Sequence, residues 1–266
     1  MNFVGLKDPL NRLLSGGVSR LGRAFKTKSL PSHFNGMWVR FSPKCWTALN
    51  VAYEPYVARA LRVNLRPGAV FLDVGSYCGL WSVYAAGIVG KTGRVFAFEP
   101  SPAFTILKEN AALNSPVQAF RMGLGAQDGE ATFFDQGTAS SGSFVFEVTK
   151  INEVFQPTVP IGGAKVRIRT LDSLVAELGA RPDLIKVDVE GFEFEVMQGA
   201  ENVLRNMRPV ILIEIHPNQL KLSGSSDQAL ISFLESKGYA IEVIDRNPNS
   251  LYTVLAKPTA AITTPT

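Results

Sequence analysis

Cysteine and histidine are scarce in this 266-residue chain, with two of each. Cys45 and Cys78 make neither a disulfide framework nor a metal-ligand spacing, which excludes a stapled secreted scaffold and a cysteine zinc site. A reducing, cytoplasmic setting is the expectation that follows. No apolar run reaches the roughly 20 residues of a membrane-spanning helix, and the first residues show no signal-peptide core with a cleavage site. A P-loop is absent because no Gly-Lys-Ser/Thr follows a glycine loop. No Asn-Pro-Pro-Tyr stretch of the base-flipping kind occurs either. What is present is 46% apolar residues, enough for a full core without staples.

The net charge of +4 is unevenly spread. Residues 1–66 carry eleven Lys/Arg against Asp8 and Glu54, a balance of +9, and the rest carries sixteen against twenty-one, a balance of −5. The high isoelectric point therefore describes an N-terminal extension, residues 1–54, and the acidic remainder argues against a nucleic-acid partner. In the extension Phe3, Leu6, Leu10, Leu13, Leu14, Val18, Leu21 and Phe25 recur at steps of three and four, with Lys7, Arg12, Arg20 and Arg23 between them. A basic amphipathic stretch can make peripheral contact with an anionic membrane. It can equally pack on the main domain or on a second subunit of an oligomer. Pro9 and Gly16-Gly17 interrupt it. Residues 258–266 read as a frayed tail.

The main domain is expected over residues 55–257. Strand patterns at Ala69–Val74, Arg94–Phe98, Val117–Met122, Leu184–Val189 and Val210–His216 alternate with helix patterns at Pro55–Leu65, Leu80–Val89, Pro102–Leu113, Phe192–Asn206 and Ser226–Lys237. That alternation predicts an α/β fold with a doubly wound, mostly parallel sheet. Ala240–Ile244 and Leu251–Ala256 predict a closing hairpin with one antiparallel edge strand. Between 123 and 170 the rhythm stops. Glu130–Phe134, Gly142–Val148 and Lys165–Arg169 read as short strands, followed by a helix at Leu171–Leu178. Acceptor-binding loops belong in such a block, although a plain surface insertion has the same pattern.

The strand Ala69–Val74 runs into Gly75-Ser-Tyr-Cys-Gly79, and the next strand ends at Glu99-Pro100. A glycine turn followed by a strand-end carboxylate is how a Rossmann-like sheet holds a nucleoside. A dinucleotide site needs a second glycine for the pyrophosphate, and Tyr77 stands in its place. A cofactor with a ribose and no phosphate fits better, which describes S-adenosylmethionine. In this reading Gly75, Ser76, Tyr77 and Gly79 supply close backbone approach. Asp73 faces the ammonium, and Glu99, followed by Pro100, accepts the ribose hydroxyls. Asp73 could instead be a turn-stabilising carboxylate, and Cys78 reads as a packed thiol.

A second constellation lies at later strand ends. In Leu184–Glu190 the residues Lys186, Asp188 and Glu190 share one parity, and in Val210–His216 Glu214 and His216 share another. Central parallel strands are normally apolar on both faces, so charges there are paired or used. Lys186 could neutralise Asp188 or Glu214 as a structural pair. The functional reading sets Asp188, Glu190 and His216 beside a transferred methyl group, with His216 slightly ahead of Asp188 as general base. Magnesium held by Asp188, Glu214 and His216 is a variant, but the spacing is no metal fingerprint and no metal is expected. His33 reads as a surface or packing residue.

Asp73-Val-Gly75 to Gly79, Phe98-Glu99-Pro100, Ser140-Ser141-Gly142, Leu171-Asp172, Leu184 to Gly191, Gly199-Ala200 and Glu214-Ile-His216-Pro217 together resemble the FkbM-type methyltransferases. The resemblance spans roughly residues 55–256. It implies a seven-stranded class I methyltransferase sheet, S-adenosylmethionine as donor and a hydroxyl acceptor on a sugar, glycan or secondary metabolite. Ser76-Tyr77-Cys78 departs from the smaller or amide residues usual in that family. Competing readings are an NAD-dependent oxidoreductase, a non-catalytic binding protein on the same fold and a nucleic-acid methyltransferase.

Overall fold

The structure, a computed structural model, describes residues 29–45, 53–136, 142–152, 160–246 and 251–259. The amphipathic pattern of residues 3–25, Ser140-Ser141 and the last seven residues lie outside that set. No helix among the described residues is long and apolar enough to cross a membrane.

Seven strands form the main sheet: β3 (Val70–Val74), β4 (Arg94–Phe98), β5 (Val117–Phe120), β9 (Leu184–Val187), β10 (Val210–Ile215), β11 (Tyr239–Arg246) and β12 (Tyr252–Pro258). Their order is β11-β12-β10-β9-β3-β4-β5. Strand β3 pairs parallel with β4 and β9, β4 with β5, and β9 with β10. This is the doubly wound, mostly parallel sheet predicted above. The antiparallel strand is β12, and it lies one place in from the edge, between β10 and β11. Burial explains the difference: Thr253–Ala256 is buried throughout, whereas β11 exposes Glu242 and Val243 and makes the better edge.

Alternate residues of the central strands feed two cores. Phe71, Val95 and Ala97 face one side, with α1 (Pro55–Asn64) and α2 (Leu80–Val89). Leu72, Val74, Phe96 and Phe98 face the other, with α5 (Leu171–Glu177) and α8 (Asp227–Ser236). Helix α3 (Phe104–Leu113) connects β4 to β5.

Part of the expected extension belongs to the folded unit. Strands β1 (Leu30–Phe34) and β2 (Met37–Phe41) form a hairpin through Asn35-Gly36, both at positive φ (46° and 83°), the two-residue turn that Asn-Gly favours. Phe34, Val39, Phe41 and Cys45 enter the first core. His33 packs its ring against Trp38, 5.3 Å between centroids.

The irregular block folds as a small sheet of β6 (Gly123–Leu124), β7 (Gly129–Asp135) and β8 (Gly162–Arg169), in the order β6-β8-β7. The strand predicted at Gly142–Val148 is not formed. Ser143 makes a single bridge to Phe134, and helix α4 (Phe146–Asn152) follows. Val148 is fully buried, and Phe144 and Phe146 pack edge-on against Phe133 and Phe134, contacts a helical turn satisfies. The helix predicted over Phe192–Asn206 is split into α6 (Glu193–Gln198) and a π-helical turn at Val203–Met207. At the break, a Cβ on Gly199 would lie 2.1 Å from the Gly125 carbonyl oxygen.

Candidate active site

The turn after β3 is built from main-chain contacts. Gly75 N and Ser76 N both donate to the Phe98 carbonyl at 3.0 Å, and Ser76 Oγ donates to the Asp73 carbonyl at 2.6 Å. Gly75 sits at φ 77°, and a Cβ there would lie 1.8 Å from the Asp188 carbonyl oxygen, so only glycine lets the turn meet the end of β9. Gly79, at φ 86°, starts α2. Tyr77 has the left-handed φ of 51°, and its ring packs on the first core.

Glu99 closes the turn from the end of β4. Its carboxylate accepts Tyr77 N at 2.7 Å and Ser101 N at 2.9 Å. Burial pushes its pKa up to about 7, against the pull of the Ser101 and Tyr77 donors. Half-buried Pro100 carries the chain from Glu99 to Ser101. The predicted carboxylate and the predicted turn therefore meet.

Asp73 is deeper than the sequence suggested. It is fully buried, takes a hydrogen bond from Ser82 on one oxygen, and has no protein partner on the other. Its register partner on β9 is Lys186. Burial raises its pKa, while the Lys186 charge works the other way. Lys186 is itself buried, with Nζ 2.9 Å from Asp188 Oδ2. Burial acts to lower the lysine pKa, and the carboxylates of Asp188, Asp73 and Glu54 overcome it and raise it. Lys186 is thus a cation enclosed by acids.

Two of those neighbours lie on other elements. Glu214, near the end of β10, has its pKa raised well above the usual range by burial and by Asp188 and Glu54. Glu54 is the residue that sequence reasoning missed. It caps α1 at φ 42°, accepts Trp81 Nε1 at 3.1 Å, and has its pKa raised by burial and by Asp188 against the Lys186 charge. Asn35, from the β1–β2 turn, donates Nδ2 to the neighbouring Tyr53 carbonyl at 2.6 Å. A signal existed: Glu54 and Asp8 are the only acids in the basic first 66 residues, and Glu54 directly precedes a helix-starting proline.

His216 begins α7 (Pro217–Leu222) and is buried. Nδ1 lies 2.8 Å from Glu193 Oε1, and Nε2 lies 3.7 Å from Glu190 Oε2. Burial acts to lower its pKa, but Glu190 and Glu193 raise it well above the ordinary value of about 6.5. Glu190 and Gly191 turn the chain through φ of 51° and 94°, aiming Glu190 back at the ring. Ser143 Oγ donates to the Glu190 carbonyl at 3.2 Å, tying the irregular block to this corner. Asp188, Glu214 and His216 each present one ligand-type atom within 4.8 Å of the others. Asp188 is already committed to Lys186, and both histidine nitrogens face other carboxylates.

The methyltransferase FkbM domain model matches residues 73–241, more than half of the chain. The chain belongs to this family. It is 32% identical over 175 residues to the hexuronic acid methyltransferase AglP of Haloferax volcanii, covering 64% of this chain and 66% of that protein. It is 28% identical over 214 residues to the antimetabolite synthetase AmbE of Pseudomonas aeruginosa, covering 68% of this chain and 10% of that protein. It is also 27% identical over 205 residues to methyltransferase 1 of Beauveria bassiana, covering 71% of this chain and 80% of that protein. The family match begins at Asp73, so Glu54 and the hairpin that holds its neighbour lie outside the FkbM domain as matched.

Proposed function

We propose that this FkbM-family protein transfers a methyl group from S-adenosylmethionine to a hydroxyl of a sugar, glycan or secondary metabolite. One observation carries the reading. Four carboxylates, Glu54, Asp73, Asp188 and Glu214, surround Lys186 beside the glycine turn. Burial raises the pKa of Glu54, Asp73 and Glu214, which favours their neutral forms even with Lys186 among them. A ligand bearing a sulfonium and an ammonium supplies the further positive charge that lets them ionise. The buried Asp73 oxygen without a protein partner fits the same donor. The hexuronic acid methyltransferase among the relatives favours a sugar acceptor.

When bound, the donor supplies an electrophilic methyl on sulfur. The residues do the rest. The Gly75–Gly79 turn orients it, and Glu99 retains lone pairs for the ribose hydroxyls beyond the two amides it accepts. Asp188 takes the hydroxyl proton. Burial opposes its anionic form, but Lys186 and His216 overcome that and favour it. His216, already protonated, is the counter-charge that holds Glu190 and Glu193 in place. The general base thus moves from His216 to Asp188.

Hydroxylated metabolites and glycans incubated with isotope-labelled donor should include one that gains a labelled methyl by mass spectrometry. Asp188→Asn should then cut turnover about 10²-fold, with donor affinity falling by about tenfold at most. Full turnover in that variant would remove Asp188 from the role. Calorimetry showing NADH binding and no S-adenosylmethionine binding would overturn the donor.

A further inference from the structure

The chain has two cysteines, and the fold brings them into contact. Cys45 Sγ lies 2.7 Å from Cys78 Sγ, across 33 positions of sequence, and both residues are buried. A buried side chain touches about 6–12 others. A chance meeting of the only two thiols among 266 residues is therefore expected roughly one time in twenty to forty. A disulfide needs its sulfurs about 2.0 Å apart, so an approach of less than about 1 Å closes the bond.

The two backbones are already held together without the thiols. Asn110 on α3, fully buried, donates Nδ2 to the Cys78 carbonyl at 2.6 Å, and its Oδ1 accepts Ser42 N at 2.6 Å. Cys45 N donates to the Ser42 carbonyl at 2.9 Å. One side chain therefore fixes both segments in the register that faces the sulfurs.

We propose that Cys45 and Cys78 close an intrachain disulfide, a covalent staple from the segment after β2 to the turn between β3 and α2. A small-molecule disulfide is sufficient as oxidant. One cysteine thiolate attacks it to give a mixed disulfide and one free small thiol, and the second cysteine displaces the other small thiol. The two cysteines lose two protons and two electrons, and the reagent's S–S bond is reduced to two thiols. The bond anchors the residue that follows Tyr77, whose amide reaches Glu99. Closing a loop of 33 residues raises Tm by roughly 5–10 °C.

The folded full-length chain is incubated with oxidised glutathione, a linear disulfide, then denatured, alkylated and weighed intact. The expected product is a monomer with no alkylation, about 2 Da lighter than the dithiol, which takes up two alkyl groups only after reduction. Its Tm falls on reduction. Two alkylated thiols after oxidation, oxidised material found only as linked dimers, or a Tm unchanged by reduction would each overturn the staple. The readout does not depend on the methyl-transfer reaction, so failure of that reading leaves it standing.

Discussion

Lys186→Met removes the cation that four carboxylates surround. In the wild type its ammonium lies 2.9 Å from Asp188 and opposite Asp73 in register. Breaking a buried ion pair costs about 3–5 kcal/mol, because the surviving charge stays buried and unpaired. At about 1.4 kcal/mol per tenfold, that is a loss of two to three and a half orders of magnitude in the folded-to-unfolded ratio. A typical domain has about 5–15 kcal/mol, so the loss takes roughly a third or more of the stability of all but the most stable domains. The pH dependence has a definite sign. Without Lys186 the already raised pKa values of Asp73 and Glu54 rise further above their unfolded values of about 4, and that of Asp188, which Lys186 helps to hold down, rises as well. A raised folded-state pKa contributes stability that is present below the unfolded value and lost as pH climbs through the folded one. The deficit should therefore be the full 3–5 kcal/mol (about) at pH 8 and less than about half of it at pH 5. Urea unfolding followed by tryptophan fluorescence reads both. Adding Asp188→Asn to the variant should recover part of the loss at pH 8. Deficits equal at the two pH values, or a variant more stable than wild type at pH 8, would refute the enclosed-cation account.

Two further outcomes follow from the same corner. Glu54→Gln keeps an acceptor for Trp81 and removes the charge, so donor affinity should fall about tenfold, the scale of one charge-assisted hydrogen bond. Unchanged affinity by calorimetry would leave Glu54 a capping residue only. Methyl transfer should run at full rate in saturating EDTA, because Asp188 is already paired with Lys186 and both nitrogens of His216 face Glu190 and Glu193. A rate lost in EDTA and restored by magnesium would instead assign Asp188, Glu214 and His216 to a metal.

What was legible in the sequence is what short-range pattern determines. An apolar strand, a glycine turn and a strand-end carboxylate are local, and Gly75, Tyr77 and Glu99 meet as those patterns imply. Alternation of strand and helix patterns also carried the sheet, because β3 and β4 are apolar on both faces and feed a core on each side. Residue parity held as far as Lys186 and Asp188. It failed beyond them, since β9 ends at Val187 and a left-handed Glu190-Gly191 turn redirects the carboxylate to His216. Glu54 was missed for a different reason. Its approach to Lys186 and Asp188 depends on a hairpin packed against α2 and on long-range contacts that no local window contains. Helix α4 was misread as a strand because Phe144, Phe146 and Val148 alternate, and tertiary burial overrode that period.

His216 shows why a residue type alone does not assign a catalytic role. A histidine of ordinary pKa is a natural base near neutral pH. Here two carboxylates face its two nitrogens, so the ring holds a proton before any acceptor arrives. A group that is already protonated cannot accept the acceptor's proton, which leaves the carboxylates. Among them Asp188 is the one whose charged form the surroundings favour, so it is ionised and a comparatively weak base. Weak proton acceptance limits the acid–base contribution to the lower part of its usual 10²–10⁴-fold, about 3 kcal/mol. Alignment of acceptor, methyl and sulfur can supply about 7–11 kcal/mol. On the proposed reading positioning therefore dominates, with the buried charges around Lys186 acting first as a rigid frame for the donor and only second as a proton sink.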